Sequence, residues 1–477
     1  MQPASEPSDR TAPTLGRAPE PKGRHVAAMI NLALPLVGAQ LAQMAMGVTD
    51  TVMIAWLGAP ELAASVLATQ AFFLFYIFGV GFAQAALPLA ANAQGRDDAR
   101  GVRRSIRMGL WVLALYAGAV MLPLWHIEAI LLGLGQDPET AALAGAYMRV
   151  AQWSMLPALM VMGLRSYLTV VGRAWMALAA IAFGALCNGV LNYAFIFGNF
   201  GAPELGIVGA ALATTLTSLV MAALLVAYCL RAPALRRFEL FVRFWRADWA
   251  AFREVVRLGW PIGATIIAEV GLFAASSVMM GWIGTIPLAA HGIALQIASI
   301  AFMIPLGIAS AATVRVGLAF GRDARADLGR AAYAALALAG AIAVASAALF
   351  WVFADALIGL YLDRSGPSAA AVLANGVPLL LVAAAFQIAD SLQAVASGVL
   401  RGVKDTRIPM LIAVFSYWGV GMPVAYVLAF PLGWGGPGVW WGLALGLSAA
   451  AILLNARVLR RDRLGLLDPP GEGRRRP

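Results

Sequence analysis

Long apolar stretches constrain the fold of this chain more than any other feature of its sequence. Charged residues cluster between the stretches, and each stretch has roughly 20 residues or more, enough for a helix rising 1.5 Å per residue to cross the hydrocarbon core of a bilayer. We therefore predict an all-α polytopic membrane protein with twelve transmembrane helices. The expected spans are 27–56, 62–92, 108–130, 141–170, 175–197, 207–230, 258–283, 288–318, 330–360, 372–400, 408–430 and 438–458.

The composition excludes an ordinary soluble globule. Of the 477 residues, 61% are hydrophobic and only 12% are charged, so the lipid bilayer has to be the partner of most of the surface. Neither Lys22 nor Lys404 follows a glycine as a phosphate-binding loop requires, so no ATP motor is expected. The histidines are expected in the tail or near outer span ends, which disfavours a zinc site or a catalytic dyad: His25, His126 and His291. We predict a protein that is not an enzyme and needs no cofactor.

Basic residues alternate between the two sides of the predicted membrane. The outer connections contain one basic residue, Arg364, whereas the inner connections and both tails carry the rest of the loop arginines. This asymmetry predicts a multi-pass protein of the bacterial inner (plasma) membrane with both termini in the cytoplasm. It also accounts for the formal charge of +10, so binding to nucleic acid is not needed to explain that charge.

The two halves of the chain repeat each other. Sliding the chain along itself by one constant offset places Pro35 on Pro261, Trp56 on Trp282 and Gly95 on Gly321. Because six spans separate the matching positions, the halves are expected to be parallel six-helix bundles related by a pseudo-two-fold axis along the membrane normal. The predicted organisation is a disordered cytoplasmic tail (1–25), an N-terminal bundle (26–230), a cytoplasmic linker (231–257), a C-terminal bundle (258–460) and a basic cytoplasmic tail (461–477).

The linker carries an apolar pattern of its own. Phe238, Phe241, Trp245, Trp249 and Phe252 recur every three or four residues, with arginines on the other faces. This spacing predicts an amphipathic helix. Two placements stay open: the helix lies on the cytoplasmic leaflet, or it packs against the inner surface of the protein itself.

Three carboxylates are expected deep inside the spans, namely Asp50 in span 1, Glu269 in span 7 and Asp390 in span 10. A carboxylate at the centre of a span costs roughly 2.5 to 3.5 kcal/mol on insertion scales, so each needs a function or a partner. The arginines of the spans are expected toward span ends: Arg149, Arg165 and Arg315.

Other polar residues follow the same helix faces. Gln43 and Asp50 share a face of span 1, and the repeat places Gln43 on Glu269. Lipid would not accept such faces, so a hydrated cavity is expected in each bundle. The remaining polar positions are Asn188 and Asn192 in span 5 and Gln387 beside Asp390 in span 10. An unpaired carboxylate in such a cavity gains stability by binding H⁺, Na⁺ or an organic cation, and competition among these cations would produce exchange.

Several segments are similar to those of one transporter family. From about residue 27 to 460 the chain resembles the multidrug and toxic compound extrusion (MATE) family, in its NorM-type branch. The segments that carry the resemblance are Met46-Gly47-Val48-Thr49-Asp50-Thr51, Asn188 to Asn192 leading into Gly201-Ala202-Pro203-Glu204-Leu205-Gly206, Pro261 to Glu269, and Asp390 running on to Leu400-Arg401-Gly402 and Asp405.

The resemblance implies a V-shaped pair of bundles, alternating access and Na⁺- or H⁺-driven efflux of cationic amphipathic drugs by a monomer. It assigns Asp50, with Gln43, Asn188 and Asn192, to a substrate or proton site in the N-terminal bundle. It further implies a cation site in the C-terminal bundle, with Glu269 and Asp390 as Na⁺ ligands near Gln387. The chain has Phe386 where relatives with a well-described Na⁺ site have tyrosine, so the choice between Na⁺ and H⁺ stays open.

Two other functions compete with efflux. A lipid-linked oligosaccharide flippase would share the fold, but its cavity would need basic residues to hold pyrophosphate. An intramembrane enzyme would need a catalytic motif, and none is recognised in the sequence.

Overall fold

The computed structural model describes residues 22–363, 366 and 368–467, and in these ranges all regular secondary structure is helical. The predicted tail falls largely outside them, although α1 already begins at Lys22, and Arg364 and residues 468–477 also lie outside. The first half contains α1 (Lys22–Ala55), α2 (Ala59–Gly95), α3 (Ala99–Trp125), α4 (Ile127–Gly133), α5 (Pro138–Ala151), α6 (Met155–Val170), α7 (Ala174–Phe197) and α8 (Gly206–Arg231). The second half contains α9 (Trp249–Ile283), α10 (Thr285–Gly321), α11 (Arg325–Gly359), α12 (Ala369–Gly402), α13 (Arg407–Val414), α14 (Met422–Ala429) and α15 (Gly435–Leu459).

Eleven segments of the described chain are helices long and apolar enough to cross a membrane. The remaining span is divided, because a 3₁₀ turn at Gln152–Ser154 separates α5 from α6. The expected span 141–170 thus corresponds to α5 and α6, which follow each other directly through this turn. Pro157 has no amide hydrogen to donate to the Trp153 carbonyl, so one helical hydrogen bond is missing at this turn. With this divided span, the fold class is confirmed as two six-helix bundles.

The backbone repeats the symmetry seen in the sequence. Gly58 and Gly284 are equivalent positions of the repeat and connect the first two helices of each bundle, with φ of 147° and 155°. L side chains rarely adopt such angles, so glycine is required at both turns. Asp97 and Asp323 form a second equivalent pair and have φ of 55° and 56°. The backbone angles of these loops therefore follow the pseudo-two-fold symmetry as well.

The two bundles touch through the first two helices of each. Gly81 of α2 lies against Gly263 of α9, so close that a Cβ at Gly81 would be 2.4 Å from the Gly263 nitrogen. The symmetry-related contact joins Gly307 of α10 to Val37 of α1. Apolar cores also cross the boundary: Met29 and Leu36 of α1 pack in a core made mostly of C-terminal helices. The bundles are therefore interlocked and do not merely lie side by side.

These contacts lie toward one face of the molecule, at which α2, α10 and α12 end at Gly95, Gly321 and Gly402. We call it the basic face, because arginine-rich connections follow these helix ends. In the opposite halves of their helices, Gly47 of α1 and Gly292 of α10 face open space. The bundles thus approach closely near the basic face.

The linker is not the amphipathic helix that its periodicity predicted. It forms a short 3₁₀ helix at Pro233–Phe238 and then turns, and α9 begins at Trp249, inside the expected linker. Glu239 and Arg243 have φ of 45° and 53°, which ends each helical run. Trp245 is 84% exposed.

Side chains of α3 hold the linker in this irregular path. Arg107 donates to the Arg243 carbonyl at 3.0 Å, and Trp111 Nε1 donates to the Phe244 carbonyl at 3.2 Å. These two hydrogen bonds tie the linker backbone to α3 at this turn. Phe238 and Leu240 are buried against the protein. Of the two placements left open, this burial agrees with packing on the protein's own surface.

Candidate functional site

The N-terminal bundle holds Asp50 between three helices. Asn192 of α7 donates a 2.5 Å hydrogen bond to Asp50 Oδ1, and Thr214 of α8 lies 3.4 Å from Oδ2. Tyr147 of α5 is buried nearby and experiences the Asp50 charge. Asp50 makes no ion pair in the described part of the chain, so polar but uncharged groups surround this carboxylate.

Asn188 and Asn192 form one polar pair, as their spacing predicted. Both are 0% exposed, and Asn192 Nδ2 also lies 3.2 Å from Asn188 Oδ1. Asn188 Nδ2 and Asn192 Oδ1 are buried without a hydrogen-bond partner. Because an unsatisfied buried polar atom is costly, these two atoms are suited to receive a water or a ligand group.

Gln43 belongs to a second cluster and has no hydrogen bond to Asp50. Arg165 of α6 is only 8% exposed and donates to Gln40 Oε1 at 2.7 Å, to Gln43 Oε1 at 3.4 Å and to the Leu36 carbonyl at 3.3 Å. Although Arg165 lies five residues before the end of α6, its side chain points into the bundle. The N-terminal bundle therefore holds a half-buried acid, Asp50, and a buried guanidinium, Arg165, each with neutral partners.

The C-terminal bundle brings Glu269 and Asp390 into the same polar site. Asp390 is 3% exposed and accepts a 3.1 Å hydrogen bond from Gln393 Nε2. Gln393 Oε1 accepts from the Tyr417 hydroxyl at 2.9 Å, and the Gln393 side chain also faces Glu269. Gln393 thus connects the two carboxylates to a buried tyrosine hydroxyl.

A π-helix at Phe415–Gly421 positions that tyrosine. Its wider turn directs two neighbouring aromatic residues toward two different helices. The Tyr417 hydroxyl donates to Gln393 of α12, and Trp418 Nε1 donates to the Ala268 carbonyl of α9 at 3.1 Å. Short π-helical insertions in α-helices often occur at functional sites. Here the insertion joins the residue before Glu269 to the residue that binds Asp390.

Unpaired polar atoms next to the carboxylates fit a small cation. Both side-chain amide atoms of Gln387 and the Ser391 hydroxyl are buried without a partner. Carboxylate, amide and hydroxyl oxygens are the ligands that hard cations prefer. No group of three or more His, Cys, Asp or Glu side chains suited to a metal occurs among the residues described. The donors present therefore fit a monovalent cation or a proton better than a transition metal.

Phe386 lies in an apolar cluster beside this site. Its ring is 2% exposed and packs against the Trp440 ring at a centroid distance of 5.4 Å, with the two planes tilted by 33°. Trp440 Nε1 donates to His291 Nδ1 at 3.0 Å, and His291 Nε2 lies 3.0 Å from the Ser277 hydroxyl. His291 is thus buried in the bundle. The tyrosine hydroxyl of this site comes from Tyr417 instead of position 386.

Sequence reasoning missed four residues of these sites: Thr214, Gln393, Arg401 and Tyr417. Gln393 carried a readable signal, since it stands three residues after Asp390 on the same helix face. Arg401 of α12 lies close enough to Glu269 for the carboxylate charge to act on it, and its guanidinium donates to Gln84 of α2. Thr214 and Tyr417 gave no signal, because single hydroxyl groups in apolar spans are common.

The fold and its sites define a multi-pass membrane protein with a polar site inside each of two related bundles. The MatE family model matches residues 35–194 and 261–427. The chain belongs to this family, so the resemblance seen in its sequence is confirmed.

Two bacterial relatives are similar over nearly their whole length. The probable multidrug resistance protein NorM of Rhizobium meliloti (strain 1021) is 54% identical over 436 residues, which cover 91% of this chain and 93% of that protein. Its namesake in Agrobacterium fabrum (strain C58 / ATCC 33970) is 48% identical over 433 residues, with the same two coverages.

Two solved structures have the same fold. An outward-facing multidrug resistance MATE family transporter superposes with a TM-score of 0.83 at 22% identity, over 93% of this chain and 97% of that one. A eukaryotic MATE transporter gives 0.82 at 20% identity, over 92% and 96%.

Proposed function

We propose that this protein is a multidrug efflux transporter, a secondary antiporter that exports cationic amphipathic drugs in exchange for Na⁺ or H⁺. In this proposal it is a monomer in the bacterial inner membrane with both termini in the cytoplasm, and it uses neither ATP nor nucleic acid. The relatives named as multidrug resistance proteins support export of drugs. The exchange with an ion rests on the chemistry of the two bundles.

The charge balance of the C-terminal site carries the proposal. When both are ionised, Glu269 and Asp390 carry two negative charges, whereas Arg401, on whose guanidinium the Glu269 charge acts, carries one positive charge. An uncompensated charge inside a membrane protein is costly, so the site gains stability by taking one monovalent cation. The partnerless Gln387 and Ser391 atoms offer further oxygens for it.

The N-terminal site is suited to the organic cation. Asp50 supplies the negative charge, while Asn188 and Asn192 each retain a buried polar atom that could bind a polar group of the ligand or a water. Drug and ion would then bind in different bundles. They would compete because each favours a different conformation of the whole protein. One charge moving down a potential of about 100 mV releases about 2.3 kcal/mol, which supports well over a tenfold drug gradient.

The flippase function receives less support from the same charges. Arg165 is engaged by Gln40, Gln43 and the Leu36 carbonyl, and Arg401 by Gln84. Both guanidiniums thus bind oxygens of the protein itself, whereas a pyrophosphate site would need them directed at the ligand.

The test is ethidium efflux by the purified protein in proteoliposomes, with a Na⁺ gradient alone and then with a pH gradient alone. We expect efflux on at least one gradient and none in liposomes that contain the Glu269→Gln variant. Efflux on Na⁺ alone identifies Na⁺ as the coupling ion, and efflux on the pH gradient alone identifies H⁺. No efflux on either gradient contradicts the proposal.

A further inference from the structure

The end of α12 is tied to the opposite bundle by two side-chain hydrogen bonds. The Arg401 guanidinium donates to Gln84 Oε1 of α2. One residue later, the Gly402 carbonyl accepts a 3.1 Å hydrogen bond from Asn92 Nδ2, also on α2. Both bonds lie near the basic face, where α12 ends. Any motion that separates the bundles at this face must break them.

The close packing around these bonds makes them sensitive to small movements. A Cβ on Gly398 would be 2.4 Å from the Ala309 carbonyl oxygen, and one on Gly402 would be 2.7 Å from Val316. The end of α12 therefore sits directly on α10 and cannot shift by itself. Arg401 and α10 have to move together relative to α2.

Arg401 also interacts electrostatically with Glu269 of its own bundle, although the two side chains form no hydrogen bond or ion pair in the described part of the chain. Glu269 is the acid whose charge acts on it. The next acid along the chain, Asp405, pairs with Arg457 at 2.6 Å instead. One partly buried guanidinium thus has a hydrogen-bond partner in the N-terminal bundle and a counter-charge in the C-terminal bundle.

We propose that Arg401 couples the C-terminal cation site to closure of the basic face, with Gln84 as its partner across the bundle boundary. The inference rests on the proposed function, because it assumes that a monovalent cation binds at Glu269 and Asp390. It assigns to Arg401 a second role, beyond the positive charge that it contributes to the C-terminal site. Arg401 is a positioning residue, since it acts through Glu269 and Gln84.

The direction of the coupling follows from the charges. While Glu269 has no cation, its negative charge stabilises the guanidinium in the place where it also binds Gln84. A bound cation cancels that charge and leaves the guanidinium without compensation in a poorly hydrated site. Arg401 stands one residue before the end of α12, so water at the basic face is close. Cation binding therefore favours release of Gln84 and opening of the basic face.

The experiment measures the distance between the bundles at this face. Spin labels are attached at Arg100→Cys and Ala326→Cys, two exposed positions at the starts of α3 and α11, after Cys187 and Cys229 are replaced by alanine. Double electron–electron resonance then reports the closed and open populations in nanodiscs. We expect Gln84→Ala to raise the open-to-closed ratio about tenfold, the effect of losing one hydrogen bond to a charged group.

Two further variants complete the design. Glu269→Gln removes the counter-charge, and we expect it to open the basic face without any added cation, as a bound cation does in the parent protein. Arg457→Gln is the matched control, since it removes an arginine contact at the same face but within one bundle, with Asp405. We expect this control to leave the distance distribution unchanged.

Each outcome separates this inference from the proposed function. An unchanged distribution in Gln84→Ala overturns the inference, as does a closed face in Glu269→Gln. If ion-driven efflux by the parent protein persists in that case, only the inference fails. If the parent protein shows no ion-driven efflux, the proposed function itself fails.

Discussion

Gly95 and Gly321 meet where α2 and α10 end, on the pseudo-two-fold axis of the molecule. A Cβ on Gly95 would be 2.3 Å from the Leu318 carbonyl oxygen, and one on Gly321 would be 2.1 Å from the Asn92 carbonyl oxygen. The two contacts are symmetric, because Asn92 and Leu318 are themselves equivalent positions of the repeat. The basic face is thus closed by backbone against backbone.

This crossing predicts that Gly321→Ala destabilises the protein. The neighbouring atom is a carbonyl oxygen, which cannot rotate away, so the helices must separate at a cost of about 1 to 3 kcal/mol. The measurement is thermal unfolding of the purified protein in detergent. Gly118→Ala is the control, because a Cβ at that position in α3 meets nothing within 4 Å. Equal melting temperatures for the two variants would contradict the packing argument.

Asp50→Asn is expected to abolish drug export while the protein stays folded. The asparagine oxygen still accepts from Asn192, so the local hydrogen bond survives, but the negative charge that attracts an organic cation is gone. Efflux should fall by more than about tenfold, the effect of losing about 1.4 kcal/mol of binding. Drug efflux from proteoliposomes with equal amounts of inserted protein measures this. Glu139→Gln, an exposed acid in the first turn of α5, serves as the control. Undiminished efflux by Asp50→Asn would contradict the assignment of Asp50 to the binding site of the organic cation.

Tyr417→Phe is expected to weaken cation binding in the C-terminal bundle. The change removes one hydroxyl, leaves Gln393 Oε1 without its donor and so loosens the group that holds Asp390. We expect the dissociation constant for the coupling ion to rise about three- to tenfold. The ion dependence of efflux rate gives this constant. Tyr426→Phe, an exposed tyrosine of α14, should leave it unchanged. An equal ion affinity in both variants would show that the hydrogen bond from Tyr417 to Gln393 does not contribute to cation binding.

Asp248 makes stability depend on pH at the basic face. The Arg104 guanidinium, 2.5 Å away, lowers the pKa of Asp248 below its ordinary value of 3.8. A lowered pKa means that the stabilisation is complete above the ordinary value and is lost as the pH falls through the lowered value. Asp248→Asn keeps the helix cap on Ala251 but removes the ion pair. The variant should therefore have a lower melting temperature than the parent at neutral pH, and its melting temperature should fall less when the pH is lowered. Asp137→Asn, which caps α5, is the control. Parallel pH profiles for parent and Asp248→Asn would contradict this prediction.

Much of the fold could be predicted, because membrane insertion depends on properties that a sequence displays directly. Apolar length predicted the spans, and the internal repeat predicted two related bundles. The linker shows where this approach stops. Its aromatic residues have helical spacing, yet hydrogen bonds from Arg107 and Trp111 of another helix fix a turn instead.

For the two sites, the sequence predicted which helix faces carry polar residues, but not which side chains contact each other. Asn188 and Asn192 do contact each other, and Asn192 binds Asp50, as polar residues one turn apart suggested. Gln43 shares a face of α1 with Asp50 but binds Arg165, because the partner of a side chain depends on which neighbouring helix lies at its level. Their roles in transport stay predictions.

By itself the sequence determined that this chain lies in the membrane as two repeated bundles with carboxylates inside the spans, since hydropathy and internal repetition are properties of the chain. Only the tertiary structure decided which polar groups meet. The π-helix that brings Tyr417 to Gln393, and the approach of α2 and α12 that joins Gln84 to Arg401, bring together groups far apart in the chain. Helical periodicity fixes the direction of a side chain about its own axis, but the position and rotation of the neighbouring helix come from packing.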